Sequence, residues 1–301
     1  MREIISTQQE WQPGKKILSV LGPTASGKTA LALSLADACV EKGLKPAILV
    51  SVDAVAVYQK LDIGSAKPSG AERENYQWLG LDLVSCGERL TASDYLKVLK
   101  EDVLKALEAC HPVIFVGGSF FYERMLVDGP APGAASDESY LQQLMAQKLE
   151  EVFEQLRKKE PDIGEWIHPN DEYRVHRYAD LILRQGLSLA DLKNSNNAPF
   201  DSDTQTLVLN ATKVAPDSHY LTRIDQMFES GWIEEVKNLR KEFSDESWGL
   251  KTIGYEQVVR HLAGQTSFEE CRQEVLIAHR QLAKKQRTWL RGLSSRFQDT
   301  F

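Results

Sequence analysis

Three short stretches carry residue types that chemistry needs. Gly22-Pro23-Thr24-Ala25-Ser26-Gly27-Lys28-Thr29 fits the pattern G-x-x-x-x-G-K-[ST], the loop that cradles chained phosphates. Its glycines let backbone N–H groups converge on phosphate oxygens, and a helix starting behind it adds about half a positive charge. Lys28 is placed to neutralise those oxygens and Thr29 to hold Mg²⁺. Such a loop reads a diphosphate unit and not what the unit is attached to, so ATP, GTP and other diphosphate metabolites all remain open. Asp53 follows the apolar run PAILVSV, and Ser119 follows PVIFVGG. In open α/β sheets ligands gather outside the carboxyl ends of strands. A carboxylate and a hydroxyl at two such ends therefore make a base and a hydrogen-bonding group facing one crevice beside the phosphate loop.

The elements that must position these residues alternate in the βαβα rhythm of a parallel sheet. Strands are predicted at 17–21, 46–52 and 112–116, with a further short one at 81–84, and helices at 28–39 and 91–109, the latter capped by Thr91 or Ser93. A Pro/Gly/Ala stretch at 128–135 reads as a hinge. Beyond it, 137–159 reads as one long charged helix and 171–185 as another, before a polar loop, a return to the sheet at 206–209 and further helices from 218 broken near 244–251. The expected fold is α/β, a P-loop NTPase-like parallel sheet core (1–130 and 201–301) with a helical insertion domain at 131–200.

Bulk properties narrow the class. A chain of 301 residues with 42% hydrophobic and 26% charged residues is ordinary for a globular protein. It holds no apolar run long enough to span a membrane, and its first residues lack an apolar signal core. The four cysteines stand far apart with no C-x-x-C pair, as expected of reduced thiols in the cytoplasm. The histidines show no metal-ligand spacing. A net charge of −7 argues against a general nucleic-acid binder, so any nucleic acid would need a local basic face. One such face is written near the C-terminus: Arg280, Lys284, Arg287 and Arg291 follow i, i+4, i+7, i+11 spacing, with Leu282, Trp289 and Leu293 opposite. Arg174, Arg177 and Arg184 give the insertion a second, weaker basic edge, and Tyr173, Tyr178 and Trp166 are candidate surfaces for unstacked bases.

The chain resembles the tRNA isopentenyltransferase (dimethylallyltransferase) family. The likeness rests on GPTASGKT, Ser51-Val52-Asp53 with Val57-Tyr58, LDIGSAKP at 61–68, Gly117-Gly118-Ser119 with Tyr122, IHPND at 167–171 with Arg174 and Arg177, Arg223-Ile224, Glu235-Val236, Ile253-Gly254-Tyr255, and RQLAKKQ at 280–286 with Trp289. The resemblance implies that the loop holds the diphosphate of dimethylallyl diphosphate through Gly22, Thr24, Ala25, Ser26, Gly27, Lys28 and Thr29, with Arg223 stabilising the departing diphosphate and Mg²⁺ held through Thr29. It further implies that Asp53 is the base on the adenine amine and that Ser119 hydrogen-bonds near that amine. The partner implied is tRNA, at the anticodon stem-loop, contacted by Asp53, Ala54, Val55, Ala56, Ser119, Tyr173, Arg174, Arg177, Arg280, Lys284, Arg287 and Arg291, the enzyme acting as a monomer away from membranes. The sequence departs from the family pattern at Ala54, Ala56 and Leu141, where polar or basic groups are commoner. Competing readings are a small-molecule P-loop kinase, a prenyltransferase acting on free adenosine nucleotides, and a non-catalytic RNA-binding protein; the kinase reading is weakened by the single arginine, Arg157, in 137–159.

Overall fold

The computed structural model describes residues 16–130, 132–133, 136–194, 197–200, 203–208 and 215–293. The sheet runs in the order β3-β2-β4-β1-β5, with β1 (Lys16–Leu21), β2 (Ile48–Val52), β3 (Gln77–Leu79), β4 (Val113–Gly117) and β5 (Asp203–Val208) paired parallel throughout. Such strands are covered on both faces, which is why they read as continuous apolar runs. One face packs on α1 (Lys28–Glu41) through Ala32, Leu35, Ala36 and Cys39. The other face meets α3 (Ala92–Glu108), which follows the short helix α2 (Gly70–Asn75). Thr91 caps α3 by accepting from the Asp94 N–H, and Tyr95, Leu99, Val103 and Ala106 form its buried stripe. The same core continues through α4 (Phe120–Val127) and the C-terminal helices α10 (Asp217–Glu229), α11 (Trp232–Glu242), α12 (Tyr255–Leu262) and α13 (Phe268–Leu293), whose α9 predecessor is given below.

Two compact units result, one formed by the chain up to Val127 and again from Pro199, the other by Asp128–Ala198. The second unit is helical, with α5 (Glu138–Met145), α6 (Leu149–Lys159), α7 (Ile163–Trp166), α8 (Glu172–Ala179), a π-helical turn at Asp180–Arg184, and α9 (Leu189–Asn194). Its own core joins Leu144, Val152, Phe153, Leu156, Ile163, Val175 and Ile182.

Three sequence expectations are corrected. The long helix over 137–159 is two, one ending at Met145 and the next starting at Leu149, with a turn at 146–148 between them. Likewise 171–185 changes to π geometry at Asp180, a fully buried carboxylate that gathers Arg177, Arg184 and Gln185. The third sheet strand is 77–79 and not 81–84. Its register with β2 ends at Leu79↔Val50, after which Asp82 turns left-handed (φ 55°) and the 81–84 segment keeps only a bridge from Val84 to Tyr58. The residue Leu209, expected at a strand end, lies outside the described residues.

Candidate active site

Register brings three strand ends level. Leu21 and Val52 both pair with Gly117, so Gly22, Asp53 and Gly118-Ser119 emerge side by side at the carboxyl edge. The approach is close enough that a Cβ on Gly117 would stand 1.9 Å from the Val52 carbonyl oxygen. Only glycine allows it. Ser119 then ties the end of β4 to that of β2: its N–H donates to the Val52 carbonyl at 3.2 Å and its Oγ accepts from the Ala54 N–H at 3.1 Å.

Behind β1 the loop turns through Ala25 (φ 61°) and Gly27 (φ 84°) into α1, which starts at Lys28. The left-handed conformation at position 27 is strained for any residue bearing a Cβ, and it aims the first amides of α1 at the loop's hollow. Lys28 Nζ folds back onto the Pro23 carbonyl at 3.1 Å. Burial lowers the Lys28 ammonium to about 8, the nearby Arg223 guanidinium pushes the same way, and Asp53 pulls in the opposite direction. Burial also depresses Arg223, with Asp53 again opposing. Among the described residues its Nε has no hydrogen-bond partner, and the neighbouring Asp225 is held instead by Arg272 in a bidentate pair at 2.6 and 2.9 Å. Two desolvated cations and one carboxylate therefore lie within electrostatic reach of one another, an excess of positive charge suited to a diphosphate.

Asp53 both caps a turn and acts electrostatically on the two cations. Its Oδ1 accepts from the N–H groups of Val55 (2.8 Å) and Ala56 (3.2 Å); among the described residues Oδ2 accepts from none. Thr29 is exposed at the loop's rim. Among the described residues no three His, Cys, Asp or Glu side chains gather as a metal-binding group. A site of one hydroxyl at the phosphate loop suits Mg²⁺, which takes few protein ligands and binds chiefly through substrate phosphates.

Two residues without a sequence-assigned role belong to the site. Gln286, 262 residues along the chain from the loop, accepts from the Thr24 N–H through Oε1 at 2.8 Å and donates through Nε2 to the Gly118 carbonyl at 3.0 Å. It thereby joins the phosphate loop to the end of β4. His279, two turns earlier on α13, is buried, with Nδ1 at 2.9 Å from the Val275 carbonyl. Burial holds its imidazole below the ordinary range, and the charge of Arg223 adds to that. The signal for Gln286 was the motif RQLAKKQ; its contact partners carried no signal in sequence.

The expected RNA-facing residues divide. Ala54 is exposed and Val55 half-buried, but Ala56 is 3% exposed, its N–H taken by Asp53 and its carbonyl by Asp82, so its side chain offers no RNA contact. On α13, Arg280, Lys284 and Arg291 are exposed, whereas Arg287 is 7% exposed and leaves the stripe. The same end of the helix carries Leu290, which clusters with Leu21 and Phe120, and Trp289, which stacks on Phe120. The docking face runs through Ala283, Gln286 and Leu290 rather than the half-buried Leu282 and Trp289; the side chain of Leu293 lies outside the described ones. In the helical unit Tyr173 is 73% exposed and Arg174 lies beside Asp171 at 3.3 Å. Arg177 and Arg184 both bind the buried Asp180, so this edge is less positive than its composition implied. Leu141 packs against the unit's core.

A glycine-rich G-x-x-x-x-G-K-T loop, two desolvated cations and a carboxylate at the carboxyl edge of a parallel sheet define a P-loop-type α/β protein. Within that class the chain belongs to the IPP transferase family, whose sequence model matches residues 56–293. It is 30% identical over 290 residues to the tRNA dimethylallyltransferases of Francisella tularensis subsp. novicida and subsp. tularensis, covering 93% of this chain and 92% of each relative. The crystal structure of the full-length tRNA isopentenylpyrophosphate transferase of Bacillus halodurans superposes with a TM-score of 0.63 at 25% identity, over 92% of this chain and 87% of that one. A eukaryotic dimethylallyltransferase acting on tRNA shares the fold, with a TM-score of 0.73 at 23% identity over 92% of this chain and 70% of that one. The family match begins at Ala56, so the phosphate loop and Asp53 lie before the matched span, whereas Ser119, Arg223 and Gln286 lie inside it.

Proposed function

We propose that this protein transfers the dimethylallyl group of dimethylallyl diphosphate to the exocyclic N6 amine of the adenosine next to the anticodon on its 3′ side in tRNA, releasing diphosphate. The observation that carries the reading is that Lys28, Arg223 and Asp53 lie within electrostatic reach of one another in a member of this family. The N6–C1 bond forms as the C1–oxygen bond to diphosphate breaks, and the amine proton passes to Asp53. An aromatic exocyclic amine is a poor nucleophile, so its proton must leave as the bond forms. The leaving diphosphate gains charge, which Lys28, Arg223 and the amides of the loop Gly22–Thr29 meet. Thr29 would hold Mg²⁺, which when bound neutralises diphosphate oxygens. Ser119 keeps Ala54 in place and leaves its hydroxyl proton for the base or its amine. The enzyme acts as a monomer in the cytoplasm, with Tyr173 and Arg174 of the helical unit and Arg280, Lys284 and Arg291 of α13 as contacts to the anticodon stem-loop.

Mass spectrometry of tRNA nucleosides after incubation with dimethylallyl diphosphate and Mg²⁺ tests the reading; the expected product is N6-dimethylallyladenosine. Phosphoryl transfer from ATP without prenylation would overturn it in favour of a kinase, and prenylation of free AMP but not tRNA in favour of the nucleotide prenyltransferase.

The acidic chain must hold RNA through local basic faces, which makes affinity steeply salt-dependent. Each neutralised phosphate contributes roughly −0.7 to −0.9 to the log–log salt slope. Changing Arg280, Lys284 and Arg291 together to Gln is expected to weaken every tRNA substrate alike and to flatten the slope by roughly two to three. Affinity for dimethylallyl diphosphate is expected to stay. Titrations at several salt concentrations check this, and an unchanged slope would remove α13 from the RNA surface.

A further inference from the structure

The segment after Asp53 is built around a buried charge. The side chain of Lys67 is 1% exposed, and its Nζ donates to the Tyr58 carbonyl at 2.6 Å, to Asp62 Oδ1 at 3.0 Å and to Asp82 Oδ1 at 2.6 Å. Three acceptors match the three N–H bonds of an ammonium. Arg73 covers the two carboxylates from the solvent side, reaching Asp82 Oδ2 at 2.7 Å and Asp62 Oδ1 at 3.4 Å, so the cluster is neutral in sum. Glu235 anchors the same segment to the C-terminal helices. It accepts from the N–H groups of Asp62 and Ile63 at 2.9 and 2.8 Å and from the Tyr255 hydroxyl at 2.7 Å.

Two hydrogen-bonded routes run from Asp53 to the Lys67 ammonium. In the first, Asp53 Oδ1 accepts from the Ala56 N–H, the Ala56 carbonyl accepts from the Asp82 N–H at 3.2 Å, and the Asp82 carboxylate accepts from Lys67. In the second, the Val55 N–H donates to Asp53, the Val55 carbonyl accepts from the Tyr58 N–H at 3.1 Å, and the Tyr58 carbonyl accepts from Lys67. The backbone on and beside these routes adopts left-handed conformations. Asp82, on the first route, is a non-glycine residue at φ 55°, and Ala66, next to Lys67, and Lys60, two residues after Tyr58, stand at φ 51° and 64°. Such conformations persist only where the surroundings over-determine them, and the buried ammonium ties both the residue after Ala66 and the side chain of Asp82.

We propose that Lys67 is a positioning residue for the transfer: its buried ammonium fixes the turn of Asp53–Tyr58 through Asp82 and the Tyr58 carbonyl, and so sets where the Asp53 carboxylate points. The inference rests on the reading of Asp53 as the base. A displacement of about 1 Å at a reacting group can cost 10²-fold, so loss of the tie shows in turnover rather than in donor binding. It acts only through Asp53, which makes the two residues non-additive.

The test is a double-mutant cycle of Lys67→Met and Asp53→Asn, measured as kcat and KM for prenylation of a tRNA transcript. K67M is expected to lower kcat about ten- to a hundredfold with the KM for dimethylallyl diphosphate within about twofold of the parent. In the D53N background the same change is expected to cost less than about threefold. A K67M penalty that multiplies in full with that of D53N, or a K67M kcat within threefold of the parent, overturns the proposal. A D53N penalty below tenfold overturns the base reading and the proposal with it, and the single mutant alone reveals that case. If K67M does not give folded protein, Asp82→Asn carries the same cycle with the same criteria.

Discussion

Asp53→Asn lowers the rate of prenyl transfer at saturating tRNA and donor by about two to four orders of magnitude, the range a positioned general base supplies. The substitution is nearly isosteric, and Asn keeps an oxygen to accept from the Val55 and Ala56 N–H groups that Oδ1 now holds. The turn therefore survives while the proton acceptor is lost. That separation matters because Asp53 is also a turn cap, and a cap alone would explain its place at the end of β2. Since base and cap reside on one carboxylate, only a variant that preserves the cap isolates the base. Single-turnover kinetics under saturating conditions make the measurement, with tRNA affinity expected to persist. A loss smaller than tenfold would reduce Asp53 to its capping role.

Lys28→Met is expected to lower kcat by about 10²–10³-fold, the magnitude found when one preorganised charge-stabilising donor is removed, and to weaken binding of the prenyl donor as well. Its second signature is in pH. In the free protein burial holds the Lys28 ammonium at about 8, helped by Arg223 and opposed by Asp53. A diphosphate favours the charged lysine, so the value in the complex lies above that in the free protein. Binding below pH 8 finds the ammonium already formed and takes up little proton. Above pH 8 binding must first charge the lysine, so affinity falls by up to about tenfold per unit until the pKa of the complex is passed. Calorimetric titration with dimethylallyl diphosphate between pH 7 and 9.5 should show this decline and its loss in K28M. A K28M profile that keeps the parent's slope would assign the titration to another group.

How much of this was legible before folding follows from the range of the interactions involved. The phosphate loop, the acid after β2 and the serine after β4 were readable because each is a local pattern: an apolar strand, a glycine turn and a polar residue at its end. The order of the strands was not. β4 lies between β1 and β2 although 60 residues separate β2 from β4 in the chain, and it is this insertion that brings Gly22, Asp53 and Ser119 level. Helix boundaries in 137–185 failed at the turn of 146–148 and where a buried carboxylate, Asp180, drew three side chains around one turn.

The primary structure by itself determined the glycine-rich loop between β1 and α1, the parallel α/β core, the presence of a helical interruption and the family likeness, because these depend on residue types at short, regular spacing. Tertiary structure alone decided the rest. Arg223 was left a desolvated cation when its neighbour Asp225 was claimed by Arg272 on another helix. Gln286 became the link between the phosphate loop and β4, and Lys67 the buried tie beneath Asp53. Arg287 shares the helical angle of the exposed basic stripe but is buried in the fold, at 7% exposure. Helical spacing assigns a residue's direction around the axis, whereas what covers that direction depends on chain segments far away, and burial sets both the charge state of Lys28 and the partners of every buried ion.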